Sequence, residues 1–252
     1  GGDCLQMFRR RIAEPLGMED FRDFDAHYFR DPAVSRHPGY GFKMSARDLA
    51  RFGQLYLQRG IWNGRRILSE RWIEASTRAY SDTHTTRGGY GYLWWIPDIV
   101  GAGRAYAACG VGTQVLLVLP EKDLIIVQRV NTYLGKAHPF DPKLVQMILE
   151  AKTGPGLPAP ECPTWPNHRV DNDWAIAGGS HYIGTYRAFD GTYRIQVHGR
   201  GLMVEYPKGM RSLLQPQTTE DVFLVEDINE LIRLEKPKPG ENGVLHVLES
   251  IG

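Results

Sequence analysis

The chain has 252 residues, 42% of them hydrophobic, enough to bury a sizeable core as one large domain or two smaller ones. Thirty Lys and Arg stand against twenty-nine Asp and Glu, so no charge excess argues for wrapping nucleic acid or coating an anionic membrane. No apolar run approaches the roughly 20 residues needed to span a bilayer, and Cys4, Cys109 and Cys162 form no C-x-x-C pair and no complete disulfide framework.

Asp3 to Glu14 is predicted as a helix: Asp3 caps it, Leu5, Phe8 and Ile12 recur at helical spacing, and Pro15 ends it. The run Arg9-Arg10-Arg11 reads as one solvated face of that helix. Asp20 to Gly41, rich in Asp, Arg, Pro and His without sustained periodicity, reads as a long irregular stretch. Ser45 to Gln58 carries the strongest helix signals. Ser45 caps it, Asp48 completes an acidic variant of the capping box, and Leu49, Phe52, Gly53, Tyr56 and Leu57 form the apolar stripe. Asp48, Arg47 and Arg51 are expected on its solvated surface. After Gly60 and the turn at Trp62-Asn63-Gly64-Arg65, Ser69 caps a third helix to about Thr77, with Trp72, Ile73 and Ala75 inward.

Gln114 to Leu119 and Leu124 to Asn131, dense in Val, Leu and Ile around Pro120-Glu121-Lys122-Asp123, form a β-hairpin. A further helix from about Pro142 to Lys152 carries Leu144, Val145, Ile148 and Leu149 on one side. Thr153 to Pro166 holds a cluster of prolines that resists helix and sheet and suits a linker. Seven strand-like runs follow, at Tyr182–Arg187, Tyr193–His198, Leu202–Tyr206, Ser212–Gln215, Val222–Val225, Leu231–Glu235 and Val244–Leu248, spaced by Gly, Pro, Asp and Asn. The expected organisation is therefore a first domain over 1–152, a Pro-rich linker over 153–169 and a small β-rich domain over 170–252.

Four stretches in order resemble the β-lactamase-related serine hydrolases, the family of class C β-lactamases, esterases and penicillin-binding proteins. They are Ile12-Ala13-Glu14-Pro15-Leu16-Gly17-Met18, Met44 through Gly53, Gly89-Tyr90-Gly91-Tyr92-Leu93-Trp94-Trp95, and Gly110-Val111-Gly112-Thr113-Gln114 leading into the hairpin. The resemblance covers roughly residues 1 to 150. It implies an α+β fold: the C-terminal portion of a serine β-lactamase/transpeptidase-like domain, an antiparallel sheet with helices, followed by a small antiparallel β-barrel or sandwich.

The family acylates the Ser of an S-x-x-K motif, uses a Tyr in a Y-x-N loop for proton transfer, and flanks the acyl site with a third motif on an edge strand. Serine is a weak nucleophile at neutral pH and needs an adjacent base, while the tetrahedral intermediate needs preorganised donors. No Ser of this chain has Lys three positions on, and no Tyr has Asn two positions on. The family places both motifs before the Pro-Leu-Gly-Met segment, so the chain is expected to begin midway through a catalytic domain. The nucleophile Ser, Lys and Tyr are thus absent, and activity of the chain alone is not expected.

Val111-Gly112-Thr113 stands where the family has Lys-Thr-Gly or a variant, and Val111 carries no charge for a substrate carboxylate, which favours an esterase-like or amidase-like relative. The resemblance makes Gly110, Val111, Gly112, Thr113 and Gln114 the oxyanion and substrate-site candidates, through the backbone N–H of Thr113 or Gln114. Tyr90, Tyr92 and Trp94 are candidates to line a cleft, against a reading in which this aromatic run is core. Cys109 reads as a small buried hydrophobe.

The implied function is part of a serine hydrolase acting on small ester, amide or peptide-like substrates through an acyl-enzyme. No cofactor, metal, nucleic acid or membrane span is implied. An incomplete domain would leave core exposed, so self-association or dependence on another segment is expected. The rival reading is a catalytically dead scaffold or binding protein that uses the β-domain, with Tyr182, Tyr186, Tyr193 and Tyr206 holding a ligand. The start, Gly1-Gly2-Asp3-Cys4-Leu5-Gln6, has no signal-peptide pattern, and the compartment stays open.

Overall fold

The computed structural model describes residues 3–29, 33–84, 88–110, 114–129, 142–154, 179–199, 201–207, 209–226, 230–236, 238 and 240–250. The chain divides into two compact units, one drawn from Gly1–Phe21 with Met44–Trp165, the other from Arg22–Lys43 with Pro166–Gly252. The described elements of the first half are α1 (Cys4–Phe8), β1 (Ala26–Phe29), β2 (Gly39–Phe42), α2 (Ala46–Leu57), β3 (Ile61–Trp62), β4 (Arg65–Arg66) and α3 (Glu70–Ser76). Next come β5 (Ser81–Asp82), β6 (Gly89–Tyr90), β7 (Trp95–Ile96), β8 (Tyr106–Gly110), β9 (Gln114–Leu119), β10 (Leu124–Gln128) and α4 (Pro142–Ala151).

In the first unit β5 to β10 form an antiparallel six-stranded sheet in sequence order. Its residues alternate between two helices. Ala107, Val115, Leu117 and Leu119, with Leu124 and Ile126, pack with Val145 and Leu149 of α4. Tyr106, Leu116 and Val118, with Ile125 and Val127, pack with Leu49, Phe52 and Tyr56 of α2. This two-sided burial explains why β9 reads as a continuous apolar run. Leu116, Leu117, Val118 and Leu119 are all fully buried, each contributing about 1.5–3 kcal/mol of transfer free energy. Gly53 sets the approach of α2, since a Cβ there would lie 2.7 Å from Leu116 Cδ1 and 3.0 Å from Ile125 Cγ2.

The structure departs from the sequence expectations at several places. The first helix is α-helical only to Phe8 and then widens to a π-helix over Arg9–Ala13, with the Glu14 N–H donating to Arg9 O at 2.9 Å. Pro15 has no N–H to donate, and the widened turn re-pairs the carbonyls before it. Leu144 is exposed, whereas Val145 and Leu149 of α4 pack with the sheet. Trp72 is exposed while its neighbour Ile73 is buried, since the short α3 presents one narrow face to the core. Asp48 and Arg51, expected in solvent, are buried. The helix that carries them is covered on more than its apolar stripe, and the two charges are paired.

The second unit is built on a closed barrel of β11 (Gly184–Ala188), β12 (Gly191–His198), β13 (Gly201–Glu205), β14 (Arg211–Pro216), β15 (Val222–Val225), β16 (Glu230–Glu235) and β17 (Gly243–Ser250). Every neighbouring pair is antiparallel except the closing one, where β11 runs parallel to β17 through Tyr186↔Gly243 and Arg187↔Val244. Tyr186, Ile195, Leu202, Leu214, Ile232 and Leu234 are among its fully buried side chains, so the interior is packed core.

Arg22–Lys43 belongs to this unit, and the irregular stretch expected there contains the hairpin β1–β2. His27 and Phe29 lie opposite Gly41 and Gly39, and a Cβ on Gly39 would fall 2.2 Å from Phe29 Cε2. The rings occupy the space of the missing cross-strand side chains, which is why no alternation is visible in the sequence. Phe24 packs with Met203 and Leu213 of the barrel, and Arg22 bonds Asp25 and Glu226, the latter at 3.0 Å.

Candidate active site

β8 ends at Gly110, which pairs with Gln114 at the start of β9. Val111, Gly112 and Thr113, the centre of the candidate oxyanion motif, lie outside the described residues. Cys109, expected to be buried, is exposed, because the strand end passes beyond the helices that cover Tyr106 and Ala107.

Register brings a second segment to this end of the sheet. Ala107 pairs with Trp95 and Trp95 with Tyr90, in antiparallel order, so the turn Gly91–Trp94 sits at the end where β8 runs out at Gly110. The turn is tightly held. Gly91 N–H donates to Trp94 O at 2.7 Å, Tyr92 N–H donates to Ser76 O at 2.9 Å, and a Cβ on Gly91 would meet that same oxygen at 2.4 Å. Leu93 takes a left-handed backbone, φ 64°.

The candidate aromatics separate at this turn. Trp94 is in the core, 4.6 Å from the Tyr56 ring and 5.2 Å from the Tyr106 ring. Tyr90 is half-buried with its ring edge on Trp95 at 4.9 Å. Tyr92 is exposed and stacks on Tyr80 at 4.9 Å, with Trp72 on it at 5.8 Å. The hydrogen bond between Tyr80 and Tyr92 holds the Tyr80 phenol above its ordinary range. Tyr106 is pushed up to about 12, chiefly by burial, so both phenols are proton holders rather than bases at neutral pH.

Sequence reasoning missed a buried charge network in the same unit. Asp48 Oδ1 accepts from Arg51 at 2.8 Å and its Oδ2 from the Asp20 N–H at 3.1 Å, while Asp20 accepts from Arg47 at 2.6 Å. Burial, reinforced by the Asp20 charge, raises the Asp48 carboxyl against the opposing pull of Arg51. The network ties the turn after Pro15 to α2. Only part of the network is local in sequence: Arg51 stands three positions after Asp48, but Asp20 lies 28 positions before it.

In the second unit Tyr182, Tyr186 and Tyr193 are buried in the barrel and Tyr206 packs against them. Their hydroxyls are engaged as well: Tyr182 donates to Asp221 at 2.6 Å, Tyr186 to Tyr182 O at 2.8 Å and Tyr193 to Asp190 at 2.7 Å. Among the described residues no group of three or more His, Cys, Asp or Glu is placed to hold a metal, and no helix is long and apolar enough to cross a membrane.

The β-lactamase family model matches residues 1–149, more than half of the chain. The 6-aminohexanoate-dimer hydrolase of Paenarthrobacter ureafaciens is 32% identical over 134 residues, covering 47% of this chain and 33% of that protein. Two solved structures share the match: a putative 6-aminohexanoate-dimer hydrolase from Bacillus anthracis, 27% identical, TM-score 0.40, covering 57% of this chain and 36% of that one; and a putative beta-lactamase from Bacteroides dorei DSM 17855, 19% identical, TM-score 0.38, covering 57% and 50%. The chain thus spans about one third of the length of the curated relative. The chain belongs to the β-lactamase family.

Proposed function

We propose that the first unit carries part of a serine hydrolase site for ester, amide or peptide-like bonds, with the acylated Ser, its Lys and the proton-transferring Tyr supplied by residues outside these 252. The observation that carries this reading is the family match over residues 1–149, in a sequence with no S-x-x-K and no Y-x-N. In this role the segment between Gly110 and Gln114 supplies a backbone N–H to the developing oxyanion, a task that needs geometry and no particular side chain. Tyr92, exposed at the same end of the sheet, lines the approach together with Tyr90. Val111 leaves substrate carboxylates without a cation here, and the curated relative's name makes an amide of 6-aminohexanoate the first substrate to test.

The experiment joins these residues to an S-x-x-K- and Y-x-N-bearing segment of the family and measures hydrolysis of a nitrophenyl ester and of linear 6-aminohexanoate dimer. Activity that falls at least a hundredfold in kcat when Thr113 and Gln114 are both replaced by proline supports the assignment, on the scale of losing an oxyanion donor. Unchanged kcat in that variant rejects the segment as the donor. No hydrolysis by the joined protein favours the scaffold reading instead.

A further inference from the structure

We propose that His27 is an acid-sensitive latch: its neutral ring allows the β1–β2 hairpin to dock on the barrel, and its protonation loosens the hairpin. His27 lies on β1 opposite Gly41 of β2, and its ring covers that glycine, where a Cβ would meet His27 Cε1 at 3.1 Å. The ring also tilts against Phe29, with centroids 5.9 Å apart. Its Nδ1 is buried and, among the described residues, has no hydrogen-bond partner. A neutral imidazole tolerates this when Nδ1 is the atom without a proton, at the cost of one unsatisfied acceptor. An imidazolium has a proton on Nδ1 as well, and a buried N–H of a charged ring with nothing to accept it costs considerably more.

The charged surroundings act in the same direction. Lys43 follows β2 on the face shared by Gly41 and His27, with its N–H bonded to Asp25 O at 2.7 Å and its ammonium bonded to the Arg211 carbonyl of β14. Among the described residues, the charged groups acting on the ring are the cations of Lys43 and Arg211. Glu205 of β13 is engaged with Arg211 at 3.1 Å, and Asp25 with Arg22 at 3.1 Å. Protonation of His27 would therefore place a third positive charge among two, on a ring whose buried nitrogen lacks an acceptor. Burial, then these two cations, hold His27 below the ordinary histidine range.

The sign follows from linkage. A histidine whose native value is depressed binds fewer protons in the docked state than in the loosened one, so docking is fully present above about pH 6.5 and weakens as pH falls below it. The weakening amounts to about tenfold in the docking equilibrium for each pH unit separating the two values. What loosens is a local unit, because the hairpin pairs with itself and its Lys43 ammonium bonds the Arg211 carbonyl, while the strands β12 to β14 keep their own ladders. The segment that carries the hairpin, Arg22–Lys43, is joined at both ends to residues of the other unit, Phe21 and Met44.

Two measurements on the full chain test the proposal. Amide exchange, corrected for intrinsic rates, is followed from pH 7.5 to pH 5.0 in the wild type and in His27→Gln. The expected result is that protection of Ala26–Phe29 and Gly39–Phe42 falls in the wild type, stays level in His27→Gln, and does not change in β12 to β14 of either protein. Equal falls in both proteins, or none in either, overturn it. Independently, the His27 ring is titrated by NMR in the wild type, which needs no variant to fold. A midpoint below 6.5 is expected, and one at or above 6.5 overturns the latch.

Discussion

Replacing Asp48 with alanine removes the acceptor that joins three groups in the first unit: the Arg51 guanidinium at 2.8 Å, the Asp20 N–H at 3.1 Å and, through Asp20, the clamp of Arg47. The Asp48 side chain is 0% exposed and that of Arg51 8%, so the guanidinium is left buried with Glu19 4.0 Å away. Removing one partner of such a pair costs about 3–5 kcal/mol, because the remaining charge stays desolvated. We expect about 3 kcal/mol, since Glu19 moves toward Arg51, and this is a large share of the roughly 5–15 kcal/mol that holds a domain together. Urea unfolding followed by tryptophan fluorescence reports it, as Trp62, Trp72, Trp94 and Trp95 all lie in this unit. Asp48→Leu combined with Arg51→Met should recover most of the loss, because an apolar pair of similar volume has no charge to desolvate. A loss below about 1 kcal/mol for Asp48→Ala, in the range of exposed ion pairs, refutes the view that the network is a buried tie.

Three further outcomes are expected. Gly53→Val drives side-chain carbons into Leu116 and Ile125, which are held on both sides, and should cost about 2 kcal/mol in a thermal melt. Tyr186→Phe loses the bond to Tyr182 O and about 1 kcal/mol at neutral pH. Burial pushes Tyr186 up to about 12, so its stabilising share is present below pH 10 and lost as pH rises through 12, and the variant's barrel should lose less stability than the wild type in that window by circular dichroism. Asp221 sits at φ 63°, which asparagine also tolerates. Its carboxyl is lowered by the Tyr182 hydrogen bond and then by Lys236, so its contribution is present above about pH 4 and lost in acid. Asp221→Asn should flatten that acid loss by less than about 1 kcal/mol in this half-exposed site.

Most of the regular structure was legible in the sequence. The helix expected at Ser45–Gln58 is Ala46–Leu57 with the Ser45 hydroxyl accepting from the Asp48 N–H at 3.1 Å, and the hairpin after Thr113 is β9 and β10. All seven expected β-domain runs are barrel strands, with ends shifted by a residue or two. These segments share strong period, good caps and clear turn residues. The hairpin β1–β2 was not legible, because its pairing sets aromatic rings over glycines and shows no alternation. Burial of Asp48 and Arg51 was hidden for a different reason: a charge reads as solvated unless its partner is known, and Asp20 lies 28 positions away. The aromatic turn was legible as a cluster, but only the register separates core Trp94 from exposed Tyr92.

The measurement closest to the central claim is labelling of the purified 252-residue chain with a serine-directed fluorophosphonate, read by intact mass. No adduct on the chain alone, and one adduct per molecule once it is joined to the S-x-x-K-bearing segment, is the predicted result. A stoichiometric adduct on the chain alone would mean that one of its own serines is activated, contradicting a site whose nucleophile comes from elsewhere.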